Sequence, residues 1–200
     1  MTTEETSEIA RFSVCIFCGA KPGLDGSRHV SDAYQAGQLI AQKGWRLVYG
    51  GGGLGLMGSA ADGALNVGGN VLGVIPERLV EAELAHPGVT ELRIVPDMAV
   101  RKTRLIEQSD AFLILPGGMG TLDELFEVIT LTQLGYMQKP IIIYNPDGFY
   151  DLLMQFGDHL VASGFVNTRH WANVQAFTDL GQAVNAAGLE VKIVPSILHK

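Results

Sequence analysis

With 200 residues, 47% of them hydrophobic and 18% charged, the chain has enough apolar material for one compact domain with a sizeable core. A formal net charge of -7 and a pI near 5.1 argue against general binding to nucleic acid or to an anionic membrane surface. No apolar run approaches the roughly 20 residues of a membrane span. Met1 to Glu8 is polar and acidic, without a basic start or an apolar stretch. It reads as part of a short tail over residues 1–10 of a cytoplasmic protein and not as a signal peptide, ahead of one domain over 11–200.

Phe12 to Phe17 reads as a first strand, followed by the small loop Gly19-Ala20-Lys21-Pro22-Gly23. A helix capped by Ser27 or Ser31 runs to Gln42 and closes at Gly44. Trp45 to Tyr49 is a second strand. Gly50 to Gly58 then forms a glycine-rich turn into a helix ending near Val67. Gly53, Gly55 and Gly58 match G-x-G-x-x-G with Glu77 downstream, which imitates a dinucleotide fingerprint. The match follows the second strand rather than the first, so tight helix-to-sheet packing and one wall of a nucleotide pocket are the better reading.

Asn70 to Ile75 and Thr90 to Val95 are the third and fourth strands, with an irregular or briefly helical stretch between them. Asp97 caps a helix over Met98 to Gln108. Arg101 and Lys102 sit near its start, where cations oppose the helix dipole. They therefore need a bound anion or a carboxylate partner. Ala111 to Leu115 is a fifth, fully apolar strand. Pro140 to Tyr144 and Asn173 to Phe177 complete the set, with helices over Phe149 to Ser163 and Asp179 to Ala187. Strands alternating with helices predict an α/β fold: a doubly wound, Rossmann-like parallel sheet of about seven strands with helices on both faces, in a single domain. Ligands of such sheets bind beyond the carboxyl ends of the strands.

Cys15 and Cys18 have C-x-x-C spacing, but in or at the end of a strand that spacing sends the side chains to opposite faces. They read as buried structural thiols. Too few ligands lie nearby for zinc, and no metal or other cofactor is expected.

The most informative stretch joins the fifth strand to its helix: Pro116-Gly117-Gly118-Met119-Gly120-Thr121-Leu122-Asp123-Glu124. The glycines allow a ligand to approach the main chain, and the helix start offers N–H groups to an anion. Thr121 with Glu124 fits a capping box. Glu124 equally fits a carboxylate held over a phosphate cradle, where it would act on a bond of the ligand.

This nonapeptide, with Arg101-Lys102 upstream, resembles the signature of the LONELY GUY (LOG) family of cytokinin riboside 5′-monophosphate phosphoribohydrolases, once labelled lysine decarboxylases. Cys18-Gly19 with Pro22-Gly23, Tyr49 through Gly58, Gly73 to Pro76, Gln133-Leu134-Gly135 and Asp147-Gly148-Phe149-Tyr150 extend the likeness over about residues 12 to 180. The chain departs from the family pattern at Ala20, Ala99, Met119 and Asp123. The resemblance implies a homodimeric N-glycosidase, whose chemistry calls for no metal. Its substrate would be an N6-modified adenosine 5′-monophosphate, cleaved to free base and ribose 5-phosphate. It implies catalytic roles for Arg101 and Glu124. It also implies substrate contacts from Glu83, Arg101, Lys102, Gly118, Met119, Gly120, Thr121, Leu122, Asp123, Glu124 and Thr130.

Four alternatives remain at this point. A broader purine-monophosphate nucleosidase acting on AMP would differ only in the N6 pocket. A pyridoxal-dependent decarboxylase would need a Schiff-base lysine, with Lys102 the nearest. An NAD-linked oxidoreductase rests on the Gly53 to Gly58 match alone. A non-catalytic carrier of a phosphorylated ligand or cofactor would use the same fold.

Overall fold

The structure, a computed structural model, describes residues 12–24, 26–82 and 84–189. The expected tail over residues 1–10 and the candidate contact Glu83 lie outside them.

Seven parallel strands form one sheet: β1 (Ser13–Phe17), β2 (Arg46–Tyr49), β3 (Val71–Pro76), β4 (Glu91–Val95), β5 (Ala111–Ile114), β6 (Ile141–Tyr144) and β7 (Val174–Phe177). Their order is β4-β3-β2-β1-β5-β6-β7, so the chain grows outward from β1 in one direction and then returns to grow in the other. The reversal lies between β1 and β5, paired from Val14–Ala111 to Phe17–Ile114. β1, β2, β3, β5 and β6 are buried almost throughout, as continuous apolar runs in a sheet covered on both faces must be.

Helices α1 (Gly26–Gln42), α2 (Gly55–Asn66) and α8 (Leu180–Ala187) cover one face, where Ala33, Ile40, Ala60 and Val184 pack against Val14, Ile16 and Leu113. Helices α4 (Met98–Glu107), α5 (Met119–Gln133), α6 (Asp151–Ala162) and the four-residue α7 (Thr168–Trp171) cover the other. There Leu105, Leu125 and Val128 pack against Cys15, Phe112 and Ile143. The short α3 (Glu77–Glu81) follows β3 directly. Cys15 and Cys18 join opposite core layers, as their spacing requires; both are free and buried, and burial pushes both thiols up.

Two local expectations are revised. Neither Ser27 nor Ser31 precedes α1, which already begins at Gly26. The capping box at α5 does not form: the N-cap is Gly118 and no side chain caps it. Thr121 lies inside the first turn, buried against Gly117, where a Cβ would strike the threonine Oγ1. The glycines let the helix start three residues earlier than the apolar pattern indicates. Asp97 does cap α4, accepting from the Val100 N–H at 2.8 Å.

Candidate active site

Beyond the carboxyl ends of β3, β2, β1 and β5 lies a cavity of about 760 Å³. The loop after β1 is strapped between two glycine turns. Gly19 N–H donates to the Pro116 carbonyl at 3.0 Å, and Leu56 N–H donates to the Gly19 carbonyl at 3.1 Å. The turns after β2 and after β5 thus face one space.

Arg101 reaches this space from α4 and is only 7% exposed. Its Nε donates to the Val74 carbonyl and its Nη2 to the Gly50 carbonyl, each at 3.2 Å. A Cβ at Gly50 would occupy the place of that guanidinium, which is why the turn after β2 needs glycine there. With two of its nitrogens bound to backbone, the guanidinium points its Nη1 at Glu124 Oε1, 3.6 Å away. This is the carboxylate partner that a cation early in α4 required.

Glu124, 8% exposed, comes from the second turn of α5. Burial pushes its carboxyl up to about 7, and the charge of Arg101 offsets only part of that shift. Near pH 7 the carboxyl therefore exchanges between its charged and neutral forms. The first-turn amides of α5, uncapped by any side chain, lie beside it at Gly118 to Thr121 and carry the positive end of the helix dipole.

The structure brings Arg101, Gly118, Gly120, Thr121 and Glu124 together on the cavity wall. Lys102 turns outward and pairs with Asp123 at 3.0 Å and Glu127 at 2.7 Å. Met119 and Thr130 are exposed on α5, and Leu122 packs toward the core; none of these lines the cavity. Glu77, the acidic residue of the dinucleotide-like pattern, begins α3 on the surface.

The Gly50 to Gly58 turn forms one wall, as read from the sequence, but the apolar character of that side and the remaining lining residues carried no sequence signal. Met57, Ile75, Leu79, Leu84 and Met98 make the cavity's β3 side apolar, and His29 with Phe149 forms the opposite rim. Leu84 is placed by a short antiparallel bridge, in which Gly53 N–H donates to the Leu84 carbonyl at 2.8 Å and His86 N–H to the Gly51 carbonyl at 2.9 Å. Nothing in the local sequence signals that pairing.

Residues 57–187 match the family model described as "Possible lysine decarboxylase". The chain is 43% identical over 175 residues to the cytokinin riboside 5′-monophosphate phosphoribohydrolase of Rhodococcoides fascians, covering 87% of this chain and 88% of that protein. It is also 43% identical over 165 residues to the enzyme of the same name, LOG4, from Arabidopsis thaliana, covering 82% and 76%. Among solved structures the Moco carrier protein from Chlamydomonas has the same fold, with a TM-score of 0.67 at 22% identity over 88% of this chain and 94% of that one. The chain belongs to the LOG family of cytokinin riboside 5′-monophosphate phosphoribohydrolases, the group also described as possible lysine decarboxylases.

Proposed function

We propose that this protein hydrolyses the N-glycosidic bond of N6-modified adenosine 5′-monophosphates, the cytokinin nucleotides, to free base and ribose 5-phosphate, and that it also accepts AMP. The observation that carries the proposal is the buried Arg101–Glu124 pair beside the uncapped start of α5, inside one cavity.

The amides from Gly118 to Thr121 take the 5′-phosphate, whose charge matches the dipole of α5. That fixes the ribose with its anomeric carbon toward Glu124. As the bond from that carbon to the base nitrogen breaks, its electron pair leaves with the base and the ribose gains oxocarbenium character. The ionised Glu124 stabilises that charge, as carboxylates do in glycosidases. Water adds its oxygen to the anomeric carbon, one of its protons passes to Glu124 or solvent, and the departing base takes up a proton. Arg101 holds Glu124 in place and favours its charged form. Lys102, tied to Asp123 and Glu127, acts on the same carboxyl through its field.

The apolar side made by Met57, Ile75, Leu79, Leu84 and Met98 suits a base with a hydrocarbon substituent. Lys102 keeps its ammonium on two carboxylates outside the cavity, an arrangement that does not favour a Schiff base there. We further propose a cytoplasmic homodimer. Met119, Phe126 and Thr130 on α5, and Leu152 and Phe156 on α6, form outward faces rich in apolar surface, which a second copy would cover. The substrate contacts implied for Met119 and Thr130 would then be made across that interface.

Parallel incubation with isopentenyladenosine 5′-monophosphate and AMP, scoring free base and ribose 5-phosphate, tests the reaction. Release of both products from the first supports it; intact nucleotide recovered after prolonged incubation would favour a carrier.

A further inference from the structure

The loop between β6 and α6 does not supply a group to the chemistry described above, yet through one atom it reaches the strand end that leads into the proposed phosphate cradle. Tyr150, buried to 3% exposure, donates its hydroxyl to the Leu115 carbonyl at 2.7 Å. The next carbonyl, that of Pro116, accepts from Gly19 N–H at 3.0 Å. These two peptide planes immediately precede Gly117 and Gly118. Glycines have no side chains to hold their own torsions, so a glycine cradle is directed by whatever fixes the planes before it. We propose that Tyr150 is a positioning residue for phosphate binding, acting through Leu115 on the direction of the amides at the start of α5. It rests on the phosphate cradle of the proposed function.

Tyr150 is itself well secured. Its N–H donates to Asn145 Oδ1 at 2.6 Å, and Asn145 Nδ2 donates to Asp151 Oδ1 at 2.8 Å. Asn145 N–H donates in turn to the Phe177 carbonyl at 2.8 Å, tying the loop to the end of β7. Asp147 adopts a left-handed φ of 50° and pairs with Arg28 of α1. A backbone conformation that a non-glycine residue seldom adopts is thus retained in a loop anchored on several sides. The same loop carries Phe149, which packs edge-on to Tyr150 and to His29 at the cavity rim.

The test is Tyr150→Phe, which keeps the ring and removes only the donor. Binding of ribose 5-phosphate and of adenosine is measured by calorimetry on the full chain, with the melting temperature recorded separately. Losing one directing hydrogen bond should weaken ribose 5-phosphate about fivefold and leave adenosine unchanged. In turnover, KM for the nucleotide should rise by the same factor while kcat holds. Equal affinity of variant and wild type for ribose 5-phosphate overturns the proposal and leaves the proposed function standing. Parallel weakening of both ligands marks a merely structural role and also overturns it. A wild-type protein that binds adenosine but not ribose 5-phosphate removes the cradle itself, and the positioning role with it.

Discussion

Arg101 Nη1 stands 3.6 Å from Glu124 Oε1, with both side chains nearly excluded from solvent and the arginine held from behind by the carbonyls of Val74 and Gly50. The separation is longer than a tight charge-assisted hydrogen bond. The pair is thus a directed cation beside a carboxylate whose ionisation is finely balanced.

Arg101→Lys tests the direction of that cation. A lysine keeps the charge but cannot reach two carbonyls and the carboxylate from one planar fork. Turnover should fall at least about a hundredfold, comparable to loss of a preorganised electrostatic contact. Steady-state base release, with circular dichroism to show retained fold, measures it.

The pH dependence of activity should follow Glu124. Its carboxyl, pushed up to about 7 by burial, is protonated below that pH and cannot stabilise a cationic ribose. We expect kcat/KM to climb as pH rises through about 7 and then level off. The phosphate of a free nucleotide also titrates, near 6. The step belonging to Glu124 is therefore the one that disappears in Glu124→Gln.

Stability should run in the opposite sense. Between its unfolded value of 4.5 and its folded value of about 7, Glu124 keeps in the native state a proton that the unfolded chain has released. Its contribution is therefore fully present at low pH and is lost as pH rises through about 7, by roughly 3 kcal/mol in all. Chemical denaturation at pH 5 and pH 8 should show a larger drop for the wild type than for Glu124→Gln. An identical drop in both would place the carboxyl in a more polar setting than its burial indicates.

The β3 side of the cavity should set the preference for a substituent. Leu79→Asn puts an amide into an otherwise apolar wall. Catalytic efficiency on isopentenyladenosine 5′-monophosphate should fall roughly tenfold, with AMP nearly unaffected. Equal losses on both nucleotides would remove Leu79 from the selectivity surface.

Much of this was legible in the chain itself. β5 and β6 are uninterrupted apolar runs, and only a sheet covered on both faces buries such runs completely. Arg101 and Lys102 opposed the dipole of their own helix, and each has found acidic partners on α5. What stayed hidden depended on long-range placement. As letters, Thr121 and Glu124 fit a capping box as well as they fit a buried wall with a carboxylate facing Arg101. The choice was made by an arginine arriving from another helix and by Gly117 leaving room for Thr121. The outward face of α6 was equally unreadable. Leu152 and Phe156 look like core residues by type, yet they are 80% and 53% exposed. Tyr150 carries no local sign that its hydroxyl reaches the end of β5.

The most direct measurement is the rate of base release from isopentenyladenosine 5′-monophosphate by Glu124→Gln, a substitution that keeps shape and removes the charge. Turnover at least about a hundredfold below wild type, in a protein that still binds ribose 5-phosphate with wild-type affinity, is the result expected. Base release at a near-normal rate would show that the bond is broken without that carboxylate.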